Sequence, residues 1–495
     1  MVDLNLIDIK SDVLKLIPKK TALELCVLPL AAENGTATVG FPNNCRQELV
    51  SDIAFLLGQK VNAEKFSPDD LAKAILRFYG ISALETTRSS GNEKTEFVSV
   101  KEEERTAEIA SDGSVVSLVN QMVTEAIRMG ASDIHVEPYE RDLRVRYRID
   151  GVLHEVLHPS PEKKKSLISR LKIMADLDIA EKRRPQDGRI RVKEGERVID
   201  IRVSTLPTDF GEKVVLRILD KSQLQLDLGK LGFEERDLGL FKRTVHLPYG
   251  MILVTGPTGS GKTTTLYAAL NHINRPEVNI TTIEDPIEYN LPGINQTHVR
   301  ADIGVTFAAA LRAILRQDPN VIMLGEIRDT ETAEIAIRAA LTGHLVLSTL
   351  HTNDAPSAIT RLIDMGIEPF LVGSSVKMIL AQRLLRKLCD QCKVEVSLSQ
   401  EQIDELQYPG NMPKKFFAPR GCPACSHFGY KGRTAVYEVL PIQNGLSGLI
   451  ARGTTASDIR QKAQAEGLIS LRQAAVMKAE RGETSLDEVI RETAG

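Results

Sequence analysis

Apolar residues alternate with polar ones in some parts of the chain and recur at helical spacing in others, which divides the sequence into segments. Residues 1–83 mix strand-like runs with two helical stretches, and Asn34-Gly35 between two apolar runs predicts a hairpin. Residues 84–112 are polar with little periodic hydrophobicity, which predicts a flexible linker. The pattern therefore predicts a small α/β domain followed by a linker.

A second domain is predicted over residues 113–222, where an amphipathic helix precedes several alternating strands. In the run RDLRVRYRID, apolar residues alternate with Arg144, Arg146 and Arg148, so three guanidinium groups share one face of a strand. A solvated sheet face is the alternative explanation of these arginines. Two later alternating runs, RVIDIRVSTLP and KVVLRIL, carry Arg202 and Arg217.

From residue 228 to 385 the pattern changes to apolar strand, glycine loop and helix in repetition. This order is typical of a parallel sheet with crossover helices. Residues 386–440 contain two cysteine pairs, and residues 441–495 are predicted as a C-terminal helical region. The fold class is therefore α/β and multidomain.

Composition narrows the function classes. With 42 % apolar and 26 % charged residues the chain is a globular protein, and its net charge of −3 gives no general basic field. We therefore expect no nucleic-acid partner. The start, MVDLNLIDIKSD, lacks the layout of a signal peptide, and no apolar run approaches the ~20 residues that span a bilayer. A cytoplasmic location is expected, with membrane association only through a partner.

The run GPTGSGKT follows the apolar strand MILVT and precedes a helical stretch, which is the context of a phosphate-binding loop. Its backbone N–H groups can surround phosphates, Lys262 can neutralise their charge, and the Thr263 hydroxyl can bind Mg²⁺. A glycine-rich turn without a ligand is the alternative. The predicted nucleotide-binding residues are Gly256, Pro257, Thr258, Gly259, Ser260, Gly261, Lys262, Thr263 and Thr264.

Acidic residues and histidines are predicted at the ends of neighbouring strands. Glu284 and Asp285 end one apolar run and Glu326 ends another, while His344 precedes a third strand and His351 follows it. Taken singly, a glutamate at a strand end is explained as a solvated loop residue, and a histidine before an apolar strand is explained as a cap or a hydrogen-bonded core residue. Together they suit the polarisation of a water molecule for attack on a γ-phosphate.

These stretches together resemble the ATPases of type II secretion and type IV pilus assembly, within the secretion superfamily. The resemblance rests on GPTGSGKTT, TIEDPIEY, VIMLGEIRD and TGHLVLSTLHTND, and further stretches such as SDIHVEP and LRAILRQDP extend it from about residue 113 to 440. It implies a RecA-like core preceded by a PAS-like α+β domain, a homohexameric ring, and ATP held between the two domains. These motifs are shared by the secretion and the pilus ATPases.

The resemblance also implies roles for individual residues. Glu326 would orient the Mg²⁺ shell or water, and Glu284 would be the general base. Arginines of the second domain would close onto the γ-phosphate, and Arg312 and Arg316 are weaker candidates for nucleotide contacts. Gly325 is expected to permit a close approach to the nucleotide. The predicted catalytic residues are Glu284, Glu326, Lys262, Arg202, Arg217 and His351.

Four cysteines form the pattern Cys-x₂-Cys-x₂₉-Cys-x₂-Cys, which suits tetrahedral Zn²⁺. Free or redox-active thiols are the alternative. Assembly ATPases of the family resembled carry a similar tetracysteine subdomain, and retraction ATPases generally do not. The predicted zinc ligands are Cys389, Cys392, Cys422 and Cys425.

The first segment resembles the domain through which these ATPases dock onto an inner-membrane platform protein. The arginine-led repeat that binds cyclic di-GMP in some relatives is not found, so that regulation is not expected. The sequence thus predicts a hexameric ATPase that drives pseudopilus or pilus assembly, with ATP, Mg²⁺ and Zn²⁺ as cofactors. A nucleotide-gated scaffold and a DNA-uptake or conjugation motor are the alternatives.

Overall fold

The chain divides into two units, Met1–Lys94 and Thr95–Gly495, each of which has its own hydrophobic core. The computed structural model describes residues 113–194, 197–220, 225–398 and 415–494, together with 95–97. In the first unit it describes residues 9, 11–14, 16–17, 21–22, 25–33, 36–43, 45, 47–57, 59–67, 70–71, 74–75 and 78.

The first unit contains a three-stranded sheet in the order β1-β2-β3. β1 and β2 are antiparallel with Glu33 opposite Thr36, so the predicted hairpin is confirmed, although Asn34 and Gly35 lie outside the described residues. β2 and β3 are parallel, and α2 makes the crossover between them. The elements are α1 (Ser11–Leu14), β1 (Leu28–Glu33), β2 (Thr36–Pro42), α2 (Gln47–Leu57) and β3 (Lys60–Phe66).

The second domain is an antiparallel sheet of seven strands in the order β4-β8-β9-β10-β5-β6-β7, with α3 and α4 packed into its core. Its first strand, Thr95–Phe97, falls within the range predicted as a linker, the remainder of which lies outside the described residues. The elements are β4 (Thr95–Phe97), α3 (Gly113–Arg128), β5 (Ala131–Pro138), β6 (Leu143–Ile149), β7 (Val152–Leu157), α4 (Lys164–Met174), β8 (Gln186–Glu194), β9 (Arg197–Thr208) and β10 (Gly211–Leu219).

The core is a second seven-stranded sheet, in the order β13-β12-β14-β15-β11-β16-β19. All neighbouring strands are parallel except β16 and β19, which confirms the predicted α/β class. Apolar side chains cover both faces of the sheet, as a parallel sheet requires. The elements are α5 (Glu235–Thr244), β11 (Gly250–Thr255), α6 (Lys262–Ile273), β12 (Ile280–Glu284), β13 (Asn295–His298), α7 (Phe307–Ile314), β14 (Val321–Leu324), α8 (Thr330–Leu341), β15 (Leu345–Leu350), α9 (Ala355–Asp364), α10 (Pro369–Ser375) and β16 (Val376–Leu388).

The cysteine-containing segment is inserted between two strands of the core sheet. Leu388 at the end of β16 lies opposite Tyr430 at the start of β19, so the segment leaves and re-enters the sheet at adjacent points. Within the described residues, no helix combines the length and the hydrophobicity needed to cross a bilayer. The remaining elements are β17 (Val394–Val396), β18 (Phe416–Ala418), β19 (Tyr430–Pro441), α11 (Asn444–Ala451), α12 (Ala456–Ala465), α13 (Leu471–Glu480) and α14 (Leu486–Thr493).

Candidate functional site

The predicted phosphate-binding loop lies between the fully buried strand β11 and the first turn of α6. Gly256, Gly259 and Gly261 have φ angles of 146°, 83° and 87°, a region that side chains rarely adopt. A Cβ atom at Gly256 would lie 2.5 Å from the carbonyl oxygen of Gln382. The glycines therefore allow both the turn and its contact with the neighbouring strand.

Lys262 is the first residue of α6, and its side chain turns back over the loop. Its Nζ atom donates hydrogen bonds to the carbonyl oxygens of Gly256 at 2.7 Å and Pro257 at 3.1 Å. Burial lowers the pKa of Lys262, while the charge of Glu326 acts in the opposite direction. Thr263 is exposed on the same turn, where its hydroxyl is accessible to a magnesium ion.

A residue that sequence reasoning missed fixes the loop from the adjacent strand. Gln382 on β16 is 2 % exposed, and its Nε2 atom donates to the carbonyl oxygen of Ser260 at 2.8 Å. Its Oε1 atom accepts from the Thr265 hydroxyl, also at 2.8 Å. Gln382 thus links the loop to the first turns of α6, and no motif in the sequence marks this position.

Glu284 ends β12 and is 3 % exposed. One carboxylate oxygen accepts from Thr282 at 2.6 Å and from Gln296 at 3.0 Å, and the other accepts from the hydroxyl of Tyr267. Three donors from three elements therefore surround this carboxylate. Its role as general base stays a prediction, and in this conformation it is closed off from water.

Glu326 follows β14, the strand next to β12, and lies in more open surroundings. Arg328 donates to one carboxylate oxygen at 2.5 Å, and the Nε2 atom of His351 lies 3.4 Å from the other. The hydrogen bond from Arg328 lowers the pKa of Glu326 below its ordinary value. The side chain is 18 % exposed, so this carboxylate is accessible to water.

The two histidines around β15 lie at opposite ends of that strand. His351 follows it, at the same edge as Glu326, whereas the His344 ring contacts the carbonyl oxygen of Ala339 at 3.1 Å near the end of α8. Gly325 allows a close approach to the adjacent strand, since a Cβ atom there would lie 3.3 Å from the carbonyl oxygen of Ile283. Its expected approach to the nucleotide stays a prediction.

Of the two catalytic arginines predicted in the second domain, one contacts a loop of the core sheet. Arg202 on β9 donates to the carbonyl oxygen of Ile287 at 3.0 Å and forms an ion pair with Glu288, also at 3.0 Å. Arg217 on β10 pairs with Asp133 of its own domain at 3.0 Å. The weaker candidates lie elsewhere: Arg312 pairs with Glu331, and Arg316 donates to the carbonyl oxygen of Arg312.

The four predicted zinc ligands form one cluster, in which all sulfur atoms lie within 4.8 Å of one another. Three of the sulfur pairs are 3.8 Å apart. A tetrahedral zinc ion with Zn–S bonds of about 2.3 Å requires sulfur atoms about 3.8 Å apart, which fits this geometry. Two backbone N–H groups, of Cys422 and Gly429, point at the Cys425 sulfur at 3.2 Å and stabilise a thiolate there.

Comparison with known proteins extends over nearly the whole chain. Residues 108–491 match the family described as type II/IV secretion system protein, and residues 1–83 match the MshEN domain. The chain is 48 % identical to the type IV pilus assembly ATPase PilB of Myxococcus xanthus, over 100 % of its own length and 88 % of the relative's. It is 50 % identical to the type II secretion system ATPase E of Vibrio cholerae, over 81 % of each chain.

Solved structures agree with this similarity. The pilus retraction motor PilT with bound ADP superposes with a TM-score of 0.51 at 27 % identity, covering 75 % of this chain and 95 % of PilT. The ATPase DotB of Legionella pneumophila superposes with a TM-score of 0.56 at 19 % identity, covering 75 % of this chain and 94 % of DotB. The DotB similarity concerns the fold alone.

Proposed function

This chain belongs to the type II/IV secretion system protein family, and from that premise we propose that it hydrolyses ATP to power the assembly of a pseudopilus or a type IV pilus. The observation that carries the proposal is the meeting of Lys262, Glu326 and His351 at one edge of the core sheet. Lys262 would hold the β- and γ-phosphates, Thr263 would bind the accompanying Mg²⁺, and Glu326 would orient the attacking water. Pilus and secretion relatives are both close to half identical to the chain, so both systems remain within the proposal.

Phosphate release by the purified full-length protein tests this function. Lys262→Ala removes the charge that neutralises the phosphates, so turnover is expected to fall at least about a thousandfold. Wild-type-like turnover by this variant would contradict the mechanism. A wild-type protein that binds ATP without turnover would support the nucleotide-gated scaffold instead.

Domain closure is the proposed link between hydrolysis and movement. The contact of Arg202 with Ile287 and Glu288 joins the second domain to the loop that follows Glu284. Charges that one domain supplies to a phosphate held by another act only when the two domains are closed, so turnover requires their movement. We further propose a homohexamer, at the cytoplasmic face of the inner membrane, that docks through residues 1–83 onto a platform protein. Light scattering in the presence of ATP tests the hexamer.

Zinc is the metal proposed for the four cysteines, because four thiolates in tetrahedral spacing suit that ion. Its role would be structural, since the cluster closes the segment between β16 and β19. Cys389→Ser is expected to release the metal and to lower the melting temperature. Cys45→Ser, in the first unit, is the matched control. Elemental analysis that finds no zinc in the wild-type protein would refute the proposal.

A further inference from the structure

Three arginines form a row across one face of the second domain's sheet, opposite the face that packs against α3 and α4. Arg189 on β8 lies directly opposite Arg202 on β9, and Arg202 lies directly opposite Arg217 on β10. Directly opposite residues of antiparallel strands have Cα atoms about 4.5–5.5 Å apart and project from the same face. Like charges in such positions repel one another, so the row needs anions close to it.

Two members of the row have a carboxylate partner and one does not. Arg202 pairs with Glu288 of the core, and Arg217 pairs with Asp133. Across the part of the chain that the structure describes, the side chain of Arg189 makes no hydrogen bond and no ion pair. Arg189, at the β8 end of the row, is therefore the member without a direct carboxylate partner.

The row lines a cavity of about 520 Å³ that also touches the core. Asp187 is the one acidic residue of its lining, against three arginines, and Pro286 is contributed by the loop after β12. That loop follows Glu284 at the edge of the sheet where the phosphate loop also begins. The volume is within the roughly 300–1,000 Å³ of small-ligand sites. The cavity is therefore cationic and large enough for phosphate groups, and Pro286 connects its lining to the loop that follows Glu284.

We propose that Arg189 is a third arginine of the second domain that contacts the phosphate oxygens of the bound nucleoside triphosphate when the domains close. The inference rests on the proposed ATPase function. The row already holds one oxyanion of the core, because the carboxylate of Glu288 binds Arg202 at 3.0 Å. Phosphate oxygens offer guanidinium groups the same kind of acceptor with more charge. The unpaired Arg189 is the member that can bind them without first losing a partner.

The test compares Arg189 with Arg191, which lies on the same strand and the same face but already pairs with Asp200 at 3.0 Å. ATP hydrolysis and binding of a non-hydrolysable ATP analogue and of ADP are measured in the full-length wild-type protein and in its variants. Arg189→Ala is expected to lower kcat/KM at least about tenfold and to reduce the preference for the ATP analogue over ADP. Arg191→Ala is expected to stay within about twofold of the wild type.

Two further variants, Arg189→Lys and Arg189→Gln, distinguish the loss of a phosphate contact from the loss of stability. Arg189→Lys keeps the charge but not the planar fork, so partial recovery of kcat/KM relative to Arg189→Ala supports a phosphate contact. If Arg189→Ala lowers the melting temperature, Arg189→Gln, which keeps much of the side-chain length, decides in its place. Equal kcat/KM and equal analogue preference for the Arg189 and Arg191 variants would overturn the inference while wild-type turnover continues. Absence of wild-type turnover would instead overturn the proposed function, and the analogue preference alone would then decide the role of Arg189.

Discussion

The core sheet and the sheet of the second domain present their charged side chains in different ways. In the parallel core sheet, Glu284 and Glu326 lie at the carboxyl ends of neighbouring strands, where the chain leaves the sheet. In the antiparallel sheet, Arg189, Arg202 and Arg217 lie along one face, and each position is set by the pairing of two strands. A strand-end residue is placed by where its own strand stops, whereas a face residue is placed by the register of its neighbours.

Glu284 and Glu326 lie at the ends of neighbouring strands, but their surroundings differ. Glu284 is enclosed by three hydrogen-bond donors, and Glu326 is accessible beside Arg328 and His351. Proximity to the phosphate loop therefore does not make two carboxylates equivalent. The accessibility of Glu326 suits its proposed role in orienting water, and Glu284 can serve as a base only after it gives up a donor.

The largest expected effect comes from replacing each of the two carboxylates, in separate variants, by an amide. Glu326→Gln is expected to lower kcat about a hundredfold or more with nucleotide binding retained, since the amide cannot polarise water as the carboxylate does. Glu284→Gln should lower kcat similarly if its enclosure opens during the cycle. A Tyr267→Phe variant removes the hydrogen bond from Tyr267 to one oxygen of Glu284, and it therefore tests whether the enclosure of Glu284 affects turnover. Turnover by Glu326→Gln at the wild-type rate would remove Glu326 from the mechanism.

A smaller effect is expected from the neighbour that keeps Glu326 ionised. Arg328 lowers the pKa of Glu326, so the carboxylate stays charged to a lower pH than an isolated one. Arg328→Gln should let that pKa rise, and the acidic limb of the pH–rate profile should then move to higher pH. Arg338→Gln, on the exposed face of α8, is the control because its side chain is 76 % exposed. An unmoved acidic limb would show that the ionisation of Glu326 does not limit turnover.

The smallest effect on activity is expected on β6, which lies two strands beyond β10 and the arginine row on the same face of the sheet. Arg146 makes two hydrogen bonds to Glu137, at 2.9 and 2.8 Å, and Lys213 lies 3.0 Å from the same carboxylate. Arg146→Ala should leave ATP turnover within about twofold of the wild type and lower the melting temperature by about 2–4 °C. Calorimetry and the phosphate assay measure both quantities. A large loss of turnover would extend the functional surface across the whole face.

The difference between strand-end residues and sheet-face residues also explains which features could be predicted from the sequence. The phosphate loop and the carboxylates at strand ends follow from motifs and from local hydrophobic pattern, and the structure brings Lys262, Glu326 and His351 to one edge. The alternation in β6 correctly predicts that Arg144, Arg146 and Arg148 share one face. Their pairing with Glu137 and Asp133 could not be predicted, because it depends on the register of β5 against β6.

Other residues were missed for the same physical reason. Gln382 meets the phosphate loop because β16 pairs with β11, and Gln296 meets Glu284 because β13 pairs with β12. Arg189 joins the arginine row only through the register of β8 with β9. Each of these contacts depends on which strands are paired and in which register, and the local hydrophobic pattern does not predict that pairing.

The insertion point of the tetracysteine segment has a consequence for how such chains diversify. Because Leu388 and Tyr430 are paired neighbours, the segment between them is topologically the loop of a long hairpin. A loop whose two ends already touch can be lengthened, shortened or exchanged at small entropic cost and without rethreading the sheet around the phosphate loop. The tetracysteine segment is thus a separable module, which selection can add or remove while the core strands stay unchanged.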